Sequence, residues 1–419
     1  MSWTKNFTPE LVEKINQVDA LIAPRLEEVR QIALDNQAKV LQAFAHAQIS
    51  ETHFMPSTGY GHDDLGRDAL EAVYAEVFGT EAALVRPQIA SGTHAIATAL
   101  FGTLRPGEKL LYITGTPYDT LLEVIGLTGD GVGSLKEWGI DFDEVPLLEE
   151  GAVDFKGVRE KLTSNVKVVG IQRSRGYASR PSFTVAQIKE MCDFVKSIAP
   201  EVTIFVDNCY GEFAEELEPT QVGADLMAGS LIKNPGGGIA KTGGYIVGSE
   251  KLVTACANQL SAPGVGMEGG AMLTTVFDML QGFFLAPHVV SQAISGAIFT
   301  AALLDLHGIA STPAWDAPRT DLIQLVDLQD KEAMITFAQA IQRFSPVDGF
   351  VAPIPAYMPG YEDDIIMAAG TFIQGASIEL SADGPLREPY SLYVQGGLTY
   401  EHVKIAVANA VNDVFYKGQ

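Results

Sequence analysis

The stretch VTIFVDNCY, residues 202–210, decides the fold class of this chain. Its apolar, β-branched start predicts a buried strand that ends on the carboxylate of Asp207. Further strands are predicted at Lys109–Ile113, Val166–Ile171 and Tyr245–Val247, and helices at Asp68–Phe78, His94–Leu104 and Val185–Ile198. Strands that alternate with helices predict an α/β fold, in which a mostly parallel sheet is covered on both faces.

Polar residues at the ends of these strands are candidates for a site, because such sheets bind ligands at the carboxyl ends of their strands. Asp207 and Gln172 both lie just past a predicted strand. Downstream, Lys233 lies in the loop sequence GSLIKNPGGG, residues 229–238. A lysine can hold the aldehyde of pyridoxal 5'-phosphate (PLP) as a Schiff base, and a buried acid can keep its ring nitrogen protonated. Together these residues predict PLP as a cofactor.

A second lysine, Lys241 in the sequence AKTGG (240–244), competes for the same role. We favour Lys233 because it directly follows the apolar segment Leu226–Ile232, whereas Lys241 lies one short loop later. Ser230 precedes Lys233 by three residues, so its hydroxyl is expected to reach the phosphate of the same cofactor.

Two other segments carry candidate contacts to the cofactor. Ser91, Gly92 and Thr93 precede an alanine-rich helix, whose start exposes backbone N–H groups and carries positive potential. They suit a phosphate, although the motif taken alone favours a plain helix N-cap and gains weight only from the other motifs. Tyr118 follows the strand that ends at Ile113, and its ring either stacks on the pyridine of PLP or is a solvated loop tyrosine.

Arginines follow another predicted strand in the sequence QRSRGY (172–177), with Arg180 nearby. Guanidinium groups there can neutralise a phosphate or a carboxylate in a chain this acidic, or form surface ion pairs. The sequence leaves both roles open.

Composition excludes several function classes. The net charge of −24 repels phosphate backbones and anionic lipid, so we expect no nucleic-acid or membrane binding. Three scattered cysteines are too few for a disulfide framework or a zinc site, and we expect no metal site. The N-terminus lacks the apolar run of a signal peptide, which favours the cytoplasm. Charged and polar residues and a proline interrupt the apolar stretch Ala271–Leu306, which predicts separate core or interface helices.

Three segments are expected along the chain. Residues 1–55 have the apolar spacing of a short helix pair, capped by Thr8 and Pro9, which would pack on a partner subunit. Residues 56–290 form the large α/β domain. Residues 291–419 form a smaller α+β domain with connecting helices, strand–turn character around Gly375–Leu380, and a closing helix from Tyr400 to Phe415.

These motifs resemble the PLP-dependent enzymes of the aspartate aminotransferase fold (fold type I), nearest the cystathionine and methionine lyases. Asp207-Asn208 resembles their pyridinium-binding pair, Ser91-Gly92 their phosphate-binding pair, and Ser230 with Lys233 their Ser-x-x-Lys. Tyr118 lies where their ring-stacking tyrosine is expected. The sequences STGYGHDD (57–64), RPQI (86–89) and QRSRGY (172–177) are similar to the methionine γ-lyase-like family often labelled aluminium-resistance proteins, over essentially the full chain.

The resemblance implies elimination from a sulfur-containing amino acid, with loss of the β- or γ-substituent. Lys233 would remove the Cα proton, Asp207 would keep the ring electron-poor, and Tyr60 or Tyr118 would assist as acid or base. Arg387 matches the arginine that binds the substrate's carboxylate.

Tyr60 matches a tyrosine that reaches into the neighbouring subunit's site, which implies a homodimer or homotetramer. His62 stands where the family has an arginine, so Arg67 or an arginine of the 173–180 loop would have to replace that phosphate contact. Transamination, aldol cleavage or racemisation on the same fold remain alternatives, as does a PLP-binding stress protein with little catalysis.

Overall fold

The computed structural model describes residues 2–176, 178, 180–357 and 363–417. The chain divides into two compact units, one comprising Asn36–Leu285 and the other comprising Met1–Asp35 together with Ala286–Gln419. The first helix and the eighth helix each run from one unit into the other. The division into segments 1–55, 56–290 and 291–419 stays a prediction.

The larger unit contains a seven-stranded sheet. Its strands are β1 (Ala82–Arg86), β2 (Lys109–Tyr112), β3 (Asp141–Glu144), β4 (Val166–Gln172), β5 (Thr203–Asp207), β6 (Leu226–Ser230) and β7 (Gly244–Gly248), in the order β1-β7-β6-β5-β4-β2-β3. The strands from β3 to β6 pair in parallel, and β7 pairs antiparallel with both β6 and β1. The expected mostly parallel α/β sheet is confirmed.

The helices of this unit are α2 (Leu65–Val77), α3 (Gly92–Thr103), α4 (Asp119–Ile125), α5 (Phe155–Lys161), α6 (Val185–Ile198) and α7 (Glu250–Leu260). Helices α3 to α6 alternate with strands β1 to β5, as the pattern predicts, whereas α2 precedes the first strand and α7 follows the last. Apolar side chains of α3, including Ile96 and Leu100, pack with strand residues such as Phe205 in one buried core. This packing fixes the start of α3 close to the ends of the central strands.

Two long helices differ from the expectations. The predicted N-terminal helix pair is a single helix, α1 (Pro9–His46), whose first turn is capped as expected because Thr8 Oγ1 accepts a hydrogen bond from the Leu11 N–H (3.2 Å). The predicted break in the stretch Ala271–Leu306 is also wrong. Helix α8 (Thr275–Asp305) continues through Pro287, since a proline removes only one backbone donor and burial of the helix can compensate.

Within the described chain, α8 is the one helix whose length and composition would allow it to cross a membrane. However, 78% of its most apolar 18-residue window is buried inside the protein. Such burial is typical of a core helix, which accords with the core or interface role expected for this stretch.

The smaller unit contains an antiparallel sheet of β8 (Ser311–Thr312), β9 (Ile323–Asp327), β10 (Ile365–Ala368), β11 (Ser381–Pro385) and β12 (Ser391–Gln395). Helices α9 (Lys331–Arg343) and α10 (Tyr400–Phe415) complete it, and α10 has the predicted bounds. Gly375–Leu380 forms bends, and the strand that follows begins only at Ser381. The expected α+β character is confirmed.

Candidate active site

The carboxyl edge of the central strands presents two polar side chains next to each other. Gln172 and Asp207 are the last residues of β4 and β5, and they pair directly in the parallel register. Both are buried. The Oδ1 atom of Asp207 accepts a hydrogen bond from the Cys209 N–H (3.1 Å). Burial raises the pKa of the Asp207 carboxyl, and the positive charge of Lys233 opposes this rise.

Lys233 follows β6 and lies beside the turn that follows Asp207. Its Nζ atom lies 4.1 Å from the centre of the Tyr210 ring. Burial disfavours its ammonium form, but the negative charges that Cys209, Tyr210 and Asp207 can carry outweigh burial and raise the pKa of Lys233. By contrast, the side chain of Lys241 is 76% exposed and pairs with Asp278 (2.8 Å). The geometry therefore favours Lys233 over Lys241 as the lysine of the site.

Gly92, the first residue of α3, brings three of the sequence motifs together. A Cβ atom at this position would lie 3.2 Å from Cys209 Sγ and 3.3 Å from Ser230 Cβ, which is closer than most side-chain contacts. The Ser91-Gly92, Asp207-Asn208-Cys209 and Ser230-x-x-Lys233 segments therefore meet at one place. A glycine there leaves a cradle of the kind that a phosphate occupies at a helix start.

Two of the hydroxyl groups around this cradle, those of Ser91 and Thr93, have defined partners. Ser91 Oγ accepts from the His94 N–H (3.1 Å), so the plain N-cap reading of this residue holds in the structure. Thr93 Oγ1 lies 2.9 Å from Tyr118 Oη and 3.1 Å from Thr120 Oγ1. Ser230 is buried at the end of β6. These groups fit the phosphate end of PLP, and Asp207 and Lys233 fit its ring nitrogen and its aldehyde.

Tyr118 is held at the N-terminal end of α4. Its backbone N–H donates to Gln172 Oε1 (2.9 Å), which ties the loop to the end of β4. Burial, together with the negative charge of Asp207, raises the pKa of Tyr118 to about 12. The phenol is therefore neutral at ordinary pH and available as a hydrogen-bond donor.

Tyr60 lies on a braced loop with its ring in solvent. The side chain is 82% exposed and stacks on His62, with the ring centres 5.7 Å apart. The backbone beneath it is held, because Arg67 Nη1 donates to the Gly61 carbonyl (2.6 Å) and the Gly270 N–H donates to the Tyr60 carbonyl (3.0 Å). The role expected for Tyr60 in a neighbouring subunit stays a prediction.

Arg387 belongs to the smaller unit. It follows β11, its side chain is 62% exposed, and Nη1 lies 3.3 Å from Asp363 Oδ2. Its contact with the substrate's carboxylate stays a prediction.

The arginines proposed as phosphate contacts differ in their surroundings. Arg67 is buried and donates to the Gly61 and Glu268 carbonyls, and Arg173 is buried against Asn208, Glu215 and Glu218. Arg180 donates to the backbone carbonyls of Gln172 and Ser174, and its charge also acts on Asp207. Tyr177, the last residue of the QRSRGY motif, lies outside the described residues.

Comparison with known proteins places these features in a family. A family model described as methionine gamma-lyase matches residues 11–415. The chain belongs to the methionine gamma-lyase family. Within this family it is 60% identical, over 410 residues that cover 97% of each protein, to the uncharacterized protein YnbB of Bacillus subtilis.

Solved structures place the chain on the expected fold. A candidate cystathionine beta-lyase involved in aluminum resistance from Listeria monocytogenes is 63% identical, covers 96% of this chain and 99% of its own, and superposes with a TM-score of 0.95. The pyridoxal-5'-phosphate-dependent protein YhfS of Escherichia coli shares the fold at 16% identity, with a TM-score of 0.60 over 92% of this chain and 96% of its own. This member of the methionine gamma-lyase family therefore has the predicted fold type I architecture.

Sequence reasoning missed two residues of the site in this family member. Tyr210 contacts Lys233 from a turn in which φ is +71°, a left-handed conformation that is rare for a bulky residue. Cys209 donates to Asp207 and borders Gly92. Their position directly after Asp207 was a usable signal, because a residue that follows a strand-ending acid lies at the same sheet edge. Among the described residues no cluster of histidine, cysteine or carboxylate side chains is arranged to hold a metal ion.

Glu212 is a buried carboxyl behind the site. Its Oε1 atom accepts from Tyr245 Oη (2.7 Å), and Oε2 has no hydrogen-bond partner among the described residues. Gly229 makes room for it, since a Cβ atom there would lie 2.5 Å from Oε1. Burial raises the pKa of Glu212 from 4.5 to about 8, so the carboxyl is protonated in the folded protein at neutral pH.

Glu212 is therefore expected to make folding pH-dependent. Between about pH 4.5 and pH 8 the unfolded chain has lost this proton while the folded chain keeps it, so a rise in pH across this window destabilises the fold. Raising the pH across this window lowers the free energy of unfolding, and we expect Glu212→Gln to remove up to about 4 kcal/mol of that decrease. The thermal midpoint of the variant should therefore rise more at pH 8 than at pH 5, relative to the parent. Glu216→Gln is the matched control, because Glu216 is exposed. If the stability of both variants and of the parent depends on pH in the same way, Glu212 is not the protonated group assigned here.

Proposed function

We propose that the chain is a PLP-dependent carbon–sulfur lyase that acts on a cystathionine-, methionine- or cysteine-like amino acid by α,β- or α,γ-elimination. The observation that carries the proposal is the convergence of Asp207, Lys233 and the Gly92 cradle at one sheet edge. The family match and the name of the Listeria monocytogenes structure support the reaction class.

PLP supplies an aldehyde that condenses with amines and a pyridine ring that accepts electrons from Cα. Lys233 would hold it covalently, Asp207 would bind the ring nitrogen, and the Tyr118 ring would stack on the pyridine. Its phosphate would lie at the start of α3, against Ser91, Gly92, Thr93 and Ser230. A cationic ring nitrogen near the Asp207 carboxyl would favour the carboxylate over the protonated acid that burial favours.

Side chains of the protein then remove the Cα proton, bind the substrate and protonate the leaving group. The Lys233 amine takes the proton from the substrate's Cα, because it lies beside the acid that binds the ring. Arg387 binds the substrate's α-carboxylate, and the neutral phenol of Tyr118 can donate a proton to the departing sulfur. Tyr60 of a neighbouring subunit would provide a second phenol for substrate binding and proton transfer.

Product analysis tests the reaction class. The purified protein, supplied with PLP, is incubated with cystathionine, methionine and cysteine, and keto acid, ammonia and thiol are quantified. Equal amounts of keto acid and ammonia, with a released thiol, support elimination. A keto acid without ammonia indicates transamination, and an inverted Cα with the amine retained indicates racemisation. Either result would overturn the proposed lyase reaction.

We also propose that the active form is a homodimer or homotetramer whose sites are shared between subunits, and that it works in the cytoplasm. Exposed apolar side chains flank the Tyr60 loop or lie on the segment that contacts it: Met55, Leu65, Leu273 and Phe277. Such a patch suits a subunit interface. All three cysteines are free and buried, which suits a reducing compartment.

Subunit complementation tests the shared site. Tyr60→Ala and Lys233→Ala, each inactive alone, are co-expressed so that hybrid oligomers form. If Tyr60 serves the neighbouring site, half of randomly formed dimers carry one intact site, and about a quarter of the parental activity returns. Lys233→Ala with Asp207→Ala is the matched control, because both residues belong to one subunit's site and no activity should return. Equal activity in the two mixtures would contradict sharing.

A further inference from the structure

The turn after β5 holds Tyr210 in an unusual backbone conformation. Its φ of +71° lies in the left-handed region, which a bulky non-glycine residue adopts only when its surroundings enforce it. Hydrogen bonds on both sides provide that constraint. The Asn208 N–H donates to the Ala228 carbonyl (3.1 Å), and the Gly211 N–H donates to the Asn208 carbonyl (2.8 Å). The turn thus places the Tyr210 ring against the segment that carries Lys233.

The face of the Tyr210 ring attracts the positive charge of Lys233. The 4.1 Å between Lys233 Nζ and the ring centre is well inside the range at which an aromatic face attracts a cation. Tyr210 is only 6% exposed, so little water competes with this attraction. The attraction acts on the ammonium form of Lys233 and has little effect on the neutral amine.

The other acidic groups that face Lys233 stabilise its positive charge only when they are themselves ionised. Burial raises the pKa of the Cys209 thiol, raises that of Tyr118 to about 12 and raises that of Glu212 to about 8, so all three are neutral near pH 7. Asp207 is the remaining acid, and the ring nitrogen of the cofactor would engage it. Among the described residues, the Tyr210 ring is then a group that attracts the ammonium without being ionised itself.

We propose that Tyr210 is a further catalytic residue, whose ring face stabilises the positive charge that Lys233 acquires when it deprotonates the substrate. The Cα–H bond breaks, an N–H bond forms at Lys233 Nζ, and the electron pair stays with the substrate. Because the ring favours the product of this step over the neutral amine, it lowers the barrier without tightening substrate binding. The inference rests on the proposed lyase function.

Three substitutions distinguish the effect of the Tyr210 ring from the effects of its hydroxyl group and of the backbone conformation. Tyr210→Phe keeps the ring, whereas Tyr210→Leu and Tyr210→Met remove it and keep comparable bulk. All three carry a Cβ atom, so they meet the same left-handed backbone as the parent. If the leucine variant does not fold, the methionine variant provides the ring-less protein.

The first readout needs neither substrate nor turnover. The full-length chain, freed of cofactor, is acetylated with a trace of acetic anhydride at a fixed pH, and the rates at Lys233 and Lys241 are compared by peptide mass. Only the neutral amine reacts, so loss of the ring should raise the Lys233 rate relative to Lys241 by about tenfold, while the phenylalanine variant matches the parent. Lys241 is an internal control, because its exposed side chain pairs with Asp278 away from Tyr210.

The second readout compares the effects of the substitutions on kcat and on KM in the cofactor-loaded protein. We expect kcat to fall about tenfold in the ring-less variants with KM unchanged, and Tyr210→Phe to retain parental values. An unchanged acetylation ratio in the ring-less variants would overturn the proposal. So would faster acetylation with unchanged kcat, which would indicate improved access alone. If the parent protein forms no lyase products, the proposed function is wrong. The acetylation ratio would still show whether the Tyr210 ring stabilises the charge of Lys233.

Discussion

Replacing Lys233 with alanine is expected to remove the covalent attachment of PLP and to lower kcat for elimination by at least about 10³-fold. Two functions are lost together, because the same amine holds the cofactor and takes the Cα proton, and general base catalysis alone contributes about 10²–10⁴-fold. The purified variant should lack the visible absorption band of the bound cofactor. Product formation and the spectrum are measured on the same sample.

The matched control for this substitution is Lys241→Ala. Lys241 lies in the next loop, but its side chain is exposed and its partner is Asp278. We expect this variant to keep the band and the activity of the parent. If Lys241→Ala loses both while Lys233→Ala keeps them, the attachment site belongs to Lys241 and the assignment of Lys233 is wrong.

Replacing Asp207 with asparagine is expected to have the second-largest effect. Asparagine keeps the size of the side chain and can still accept the hydrogen bond from the Cys209 N–H, but it cannot carry the negative charge that keeps the ring nitrogen protonated. We expect kcat to fall about 10²–10³-fold and PLP to dissociate more readily. Dialysis followed by spectral titration with PLP measures the second effect.

Asp225→Asn is the matched control for this substitution. Asp225 also bonds to β5, through the Ile204 N–H (2.7 Å), and pairs with Lys196, but it lies at the start of that strand. We expect a modest loss of stability and parental PLP affinity. Equal loss of PLP affinity in the two variants would indicate that Asp207 acts only through the structure of the sheet.

The positions of the candidate site's main residues could be predicted because these residues follow strongly apolar strands. The strand ending at Asp207 and the segment before Lys233 are short buried runs, and in a parallel sheet their ends meet at one edge. Gly92 was also a candidate, because a helix that begins after a strand starts near the same edge of the sheet as Asp207 and Lys233. For these residues, local pattern and tertiary position agree.

Other features could not be predicted because they depend on distant packing. Helices α1 and α8 each continue through an internal proline, Pro24 and Pro287, where local propensity predicts a break. The contact of Tyr210 with Lys233 depends on one left-handed residue, and an aromatic residue after a strand gives no sign of that conformation. The protonated state of Glu212 likewise follows from burial that only the folded chain provides.

The most direct test of the central claim is borohydride reduction of the purified protein, followed by peptide mass mapping. We expect a violet-absorbing band that reduction abolishes, with the pyridoxyl group fixed on Lys233. An adduct on Lys241 would contradict the assignment of the lysine. Absence of any band, even after PLP is added, would contradict the cofactor and with it the proposed lyase reaction.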